Sequence, residues 1–205
     1  STSEGQRLKF VASLEGVHGC GKTTVFRRLQ EMKAEWFFLP EFIDPPRYPF
    51  GSKDKQIAFR AELWVLQQML KRRTLLEQIN SGVVVCDRSP ICVVAYAYAL
   101  CSDEDYQLIK DIYRSVNWGE DVIFYFEETV ESVLPKIRMR KDRPKEWNED
   151  DTEYIAKIIE GYEEALKLAS CPVLRIKNSD VEKISSKIAV EIEKACSFLN
   201  TYNYL

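Results

Sequence analysis

Residues Gly16-Val17-His18-Gly19-Cys20-Gly21-Lys22-Thr23 fit the pattern G-x-x-x-x-G-K-[ST] at every position. The glycines let the backbone curl so that its N–H groups point inward at phosphate oxygens, and a helix that follows adds its positive N-terminal end. In that arrangement Lys22 reaches the β- and γ-phosphates of ATP and the Thr23 hydroxyl binds Mg²⁺. The competing reading is a glycine turn with an incidental lysine. Thr24 is as readily a helix-packing residue as a phosphate contact. His18, inside the loop, either touches a ligand or is simply exposed to solvent.

Phosphoryl transfer also needs a second metal contact, a group that orients the nucleophile, and cations that spread the charge developing on the transferred group. Asp87-Arg88 follows the apolar run VVVC. There the carboxylate can hold the metal or its water and the arginine can clamp a phosphate or sugar oxygen, unless the two form only a structural ion pair. Glu41 follows the run EWFFLP, placed to accept a proton from a substrate hydroxyl or else to sit on a surface loop. Lys136, Arg138, Arg140, Lys141 and Arg143 precede Pro144. This cluster can close over ATP as a lid spanning about residues 136–150, or be a solvated helix end. Glu62, Trp64 and Phe59 share part of one helix face, where the aromatics sandwich a substrate base or pack into the core.

The elements that must position these residues follow from periodicity. Residues 8–14 (LKFVASL) read as a strand and 22–33 as a helix, so the glycine loop lies between a strand and a helix. Residues 35–40 read as a second strand, and Pro45, Pro46 and Pro49 force a loop after it. A helix is expected over 57–79, closing at Ser81-Gly82. Residues 83–86 (VVVC) read as a strand buried on both faces of a parallel sheet, and 122–126 (VIFYF) and 173–176 (VLRI) as a fourth and a fifth strand. Residues 91–100, 104–116, 130–138, 150–169 and 181–200 read as helices. Strands alternating with helices predict a three-layer α/β doubly wound parallel sheet, with ligands outside the carboxyl ends of the strands.

The 205 residues, 45% hydrophobic and 30% charged, suit one domain over 1–205 with a substantial core. A net charge of −3 leaves no basic footprint for a nucleic-acid polymer. No apolar stretch is long enough to cross a bilayer, and the polar residues 1–9 lack a signal-peptide core, so a cytoplasmic setting is expected. The six cysteines form no C-x-x-C pair and there is one histidine, which favours buried thiols over zinc ligands or disulfides.

Taken together, these motifs resemble the thymidylate kinase and deoxynucleoside kinase group of P-loop kinases along nearly the whole chain. EGVHGCGKTT (15–24) looks like the phosphate loop of thymidylate kinases, and Asp87-Arg88-Ser89 is similar to the D/E-R-S of deoxynucleoside kinases. By that resemblance Asp87 assists the metal, Arg88 contacts the substrate, and Glu41 is the base. Arg138-x-Arg140-x-x-Arg143 looks like the arginine lid, and RIKNSD (175–180) is similar to the segment that packs near adenine. The thymidylate kinase run T-R-E-P-G is absent at 39–44. The base-reading Gln of deoxynucleoside kinases falls on Glu62, and an arginine further along that helix falls near residues 67–69. Many members of the group are homodimers that pair helices, which implies the same here.

The resemblance implies ATP-dependent phosphoryl transfer, with Mg²⁺, to a nucleoside or nucleoside monophosphate. The alternatives are a P-loop switch NTPase, a kinase of another small acceptor, and a nucleotide-binding module without turnover. The guanine signature N-K-x-D of GTPases is not supplied by Asn178-Ser179-Asp180.

Overall fold

The computed structural model describes residues 9–140 and 148–202. In chain order the elements are β1 (Lys9–Glu15), α1 (Lys22–Met32), β2 (Phe37–Leu39), α2 (Lys55–Glu77), β3 (Gly82–Asp87), α3 (Cys92–Leu100) and α4 (Asp103–Ser115). They continue with β4 (Val122–Phe126), α5 (Val130–Met139), α6 (Thr152–Leu166), β5 (Val173–Ile176) and α7 (Val181–Tyr202). The strands form one parallel sheet in the order β2-β3-β1-β4-β5. β1 is central, with Ala12 opposite Val85 on one side and Val122 on the other.

This is the α/β fold expected from the periodicity. β3 and β4 carry apolar side chains on consecutive residues because both faces of the sheet are covered. Val11, Val84 and Cys86 pack with Leu76 of α2, whereas Phe10, Ala12, Leu14, Val83 and Val85 join the larger cluster. α1 packs against α7, and α3 against α2, α4 and α6. β2 is shorter than the run EWFFLP because it lies at the sheet edge, where Phe37 is exposed, and Pro40 has no N–H to continue the ladder.

Helix starts are closed by side chains at most places. The Asp54 carboxylate accepts the N–H groups of Gln56 and Ile57 at α2, Ser102 accepts that of Asp105 at α4, and Asp151 accepts that of Tyr154 at α6. α1 differs. Its N-cap is Gly21 at φ 95°, which has no side chain to offer the first N–H groups; α3, with Ile91 at its N-cap, also lacks a side-chain cap.

The six cysteines are unpaired, four of them buried and two half-buried. Among the described residues no helix is long and apolar enough to cross a membrane, and no three metal-ligating side chains cluster.

Candidate active site

The glycine loop joins the carboxyl end of β1 to α1. Gly19 lies at φ 80°, and a Cβ there would stand 2.5 Å from Cγ1 of Ile137, so neither its conformation nor its surroundings admit a side chain. The base of the loop is held by Glu15, whose buried carboxylate accepts the Gly16 N–H at 2.9 Å, the Ser89 N–H at 2.9 Å and the Tyr162 hydroxyl at 2.7 Å. Burial raises the Glu15 pKa against the pull of Arg88 and Lys22. One carboxylate therefore ties the turn after β1 to the turn after β3.

His18 to Thr24 line a cavity of about 1180 Å³, together with Glu41, Asp87, Arg88, Arg140 and the segment 178–181. Gly16 and Val17 stand behind it; Val17 is a core residue. The Lys22 ammonium is folded back onto the Gly16 carbonyl at 3.2 Å. The Thr23 hydroxyl donates to Oδ2 of Asp87 at 2.9 Å, while the buried Oδ1 of Asp87 has no hydrogen-bond partner. Burial raises the Asp87 pKa and Lys22 opposes the rise. A hard cation fits this pair. Mg²⁺ takes oxygen ligands, needs few from the protein, and completes its shell with phosphates and water, which gives the orphaned Oδ1 a use.

The next residue faces the other way. The Arg88 guanidinium meets the Glu41 carboxylate at 2.6 Å and lies 5.9 Å from the ring centroid of Phe42 and 5.5 Å from that of Tyr96. Its backbone lies at φ 77°, a left-handed conformation that non-glycine residues rarely adopt. Thus Asp87 turns to the glycine loop and Arg88 to the turn after β2.

Beside this ion pair is a smaller aromatic recess lined by Phe42, Phe50, Tyr96, Tyr154, Val65 and Glu62. Glu62 is buried at the edge of the recess. Burial raises its pKa to about 8, opposed by Arg88. Trp64 does not line the recess. It packs edge-on against Phe42, 5.1 Å between centroids, and near Phe50, so it supports the lining rings from the core. Phe59 likewise packs against the core.

His18 is not the solvent-exposed loop residue that one reading allowed. It is buried, stacked on Tyr154 at 5.3 Å. Its ring nitrogens meet the Tyr96 hydroxyl at 3.0 Å and the Glu149 carbonyl at 2.8 Å. A carbonyl only accepts, so Nε2 carries the proton. Burial pushes the His18 pKa down to about 3, so the ring is neutral and Nδ1 accepts from Tyr96. The histidine links the glycine loop to the chain that enters α6.

A family model described as an AAA domain matches residues 12–183. The chain belongs to the AAA domain family. It is 24% identical over 173 residues to a thymidylate kinase of Staphylococcus haemolyticus (strain JCSC1435), covering 76% of this chain and 82% of that protein. Its fold is similar to deoxyadenosine kinase from M. mycoides with the products dCMP and a flexible dCDP bound. That match has a TM-score of 0.76 at 17% identity and covers 90% of this chain and 100% of the other. The same kinase with bound dATP gives a TM-score of 0.70 at 19% identity, covering 89% and 98%. These relatives bear out the resemblance to the thymidylate and deoxynucleoside kinase group of P-loop kinases.

The basic cluster is divided by the structure. Arg140 lines the large cavity and stands 4.0 Å from the Glu149 carboxylate. Lys136 reaches Glu128 and Asn178, whereas Arg138 is exposed and does not line the cavity. Arg143 and Lys141 lie outside the described residues. Residues 178–180, from RIKNSD, do line the large cavity.

Two organising residues had no place in the motif reading. Glu15 was visible only as the letter before the glycine loop. Arg72 of α2 is buried under the turns after β2 and β3. Its signal was a cation on the apolar stripe Ala58, Val65, Met69, Leu76.

Proposed function

We propose that this chain transfers the γ-phosphoryl of ATP to a nucleoside or nucleoside monophosphate, as one domain, with the hydroxyl of a nucleoside as the favoured acceptor. The observation that carries this reading is the opposed use of two consecutive residues. Asp87 pairs with Thr23 on the phosphate-loop side and Arg88 pairs with Glu41 on the other, around one cavity. A switch NTPase needs the first pair only.

In this reading the amides of the loop and of α1, with Lys22, hold the triphosphate. Thr23 and Asp87 would hold Mg²⁺, which would supply charge neutralisation of the triphosphate. Glu41 accepts the proton of the acceptor hydroxyl, and Arg88 orients both Glu41 and the acceptor. Arg140, and Arg143 with it, spreads charge on the transferring group. The aromatic recess with Glu62 takes the base. A carboxylate beside the acceptor suits a hydroxyl, which must lose a proton, better than a phosphate, which brings its own negative charge.

An ATP-using site and six unpaired thiols support a cytoplasmic setting. Exposed Leu70 and Leu75 on α2 support a homodimer through that helix. The deciding experiment follows ADP formation from Mg-ATP with each common deoxynucleoside, each monophosphate, and no acceptor. ADP formed only with an acceptor upholds the proposal; equal ADP without one overturns it in favour of an NTPase.

A further inference from the structure

Arg72 sits on the core-facing stripe of α2 and is buried, yet among the described residues no carboxylate pairs with it. Its guanidinium donates instead to three backbone carbonyls. Nη1 reaches Asp87 O at 2.7 Å and Pro40 O at 3.2 Å, and Nη2 reaches Arg88 O at 2.6 Å. These carbonyls belong to two separate segments, the turn after β2 that leads into Glu41 and the turn after β3 that carries Asp87 and Arg88.

One helical turn earlier, buried Gln68 accepts the N–H groups of Ile43 at 3.0 Å and Asp44 at 2.8 Å, and donates to Oδ2 of Asp44 at 2.8 Å. Positions 68 and 72 share one face of the helix. That face therefore pins the Glu41 turn on both sides of the glutamate, at Pro40 and at Ile43. The β3 turn is pinned as well. A non-glycine residue at positive φ persists only where its surroundings over-determine it, and Arg88 is held through its N–H on Leu14 O at 2.8 Å and its carbonyl on Arg72.

We infer that Arg72 is a positioning residue for phosphoryl transfer: it ties the Glu41 turn to the Asp87-Arg88 turn and so fixes the Glu41–Arg88 pair at the acceptor. The inference rests on the function proposed above. An arginine is required because a planar fork reaches three carbonyls in two segments at once. A lysine is a point donor that keeps the charge but not the geometry.

Arg72→Lys is the test, read in two ways. Hydrogen exchange of the purified protein should show residues 41–44 and 87–89 opening together, with the loop 16–24 as protected as in the wild type. Turnover with the acceptor that the panel identifies should fall about 10- to 100-fold, while KM for ATP moves by less than about twofold. The loss should also be non-additive. In a Glu41→Gln background, Arg72→Lys should cost no more than about twofold, because the group it positions is already gone.

Exchange that rises uniformly, or not at all in the two turns, overturns the tie. Additive losses overturn its action through Glu41. If Arg72→Lys does not fold, Gln68→Ala carries the same exchange test on residues 41–44, and unchanged exchange there overturns the clamp. A wild type without acceptor turnover sinks the proposed function but leaves the exchange result to decide the tie.

Discussion

The Arg88 guanidinium and the Glu41 carboxylate stand 2.6 Å apart although they come from turns after different strands, and both are largely withdrawn from solvent. The pair fixes where the Glu41 carboxylate points, as the geometry of a proton acceptor requires. Glu41→Gln keeps the shape and removes the base. Its kcat should fall about 10²- to 10⁴-fold with KM for ATP little changed, measured by steady-state ADP release. A kcat near wild type would remove Glu41 from the chemistry.

Among the described residues the Lys22 ammonium hydrogen-bonds to the Gly16 carbonyl alone, so it is stored inside the loop. Lys22→Ala should abolish turnover, while the thermal midpoint changes little. Circular dichroism melts alongside the ADP assay check both halves. Residual activity near wild type would sink the ATP-site assignment.

How much of this was readable in advance differs by residue. The bounds of β4 and β5 are both legible, but for β4 alone because a strand covered on both faces is written as an uninterrupted apolar run; β5 lies at the sheet edge with Leu174 and Arg175 exposed. Lys22, Thr23 and Asp87 were readable because phosphate and metal chemistry dictates both residue type and spacing. Arg72 and Glu15 were not, since their partners are backbone groups, which any sequence supplies. For His18 the sequence leaves ligand contact and solvent exposure equally open, because the partners that bury it, Tyr96, Glu149 and Tyr154, lie far along the chain and meet only in the fold.

Arg140 lines the large cavity and faces Glu149, whose backbone carbonyl is also held by His18. Replacing Arg140 and Arg143 together by Ala should lower kcat by about 10³-fold and change ATP affinity far less, since their work is on charge that develops during transfer. Comparing kcat with the Kd for ATP by calorimetry separates the two effects. An unchanged kcat would end the lid role for both arginines.

Glu62 gives a pH prediction with a definite sign. Its pKa rises from 4.5 to about 8 on folding because it is buried, with Arg88 opposing the shift. Between those values the folded state holds a proton that the unfolded state has released. Unfolding free energy therefore falls as pH rises through that window, and the cost is fully present above about pH 8. At about 1.4 kcal/mol per pKa unit the total is at most about 5 kcal/mol. The thiols of Cys92 and Cys101 and the phenol of Tyr154, packed close by, are held neutral by burial and do not titrate in the window. Glu62→Gln has the shape of the neutral acid and no proton to lose. It should be more stable than the wild type at pH 8 and nearly equal at pH 4.5, as read from urea midpoints across that range. An amide also offers an N–H donor beside a carbonyl acceptor, where the protonated acid offers an O–H donor beside one. Acceptor binding that depends on the protonated form should therefore weaken above pH 8 in the wild type and stay level in Glu62→Gln. Parallel pH profiles for the two proteins, in stability and in acceptor KM, would show that Glu62 is ionised in the folded state.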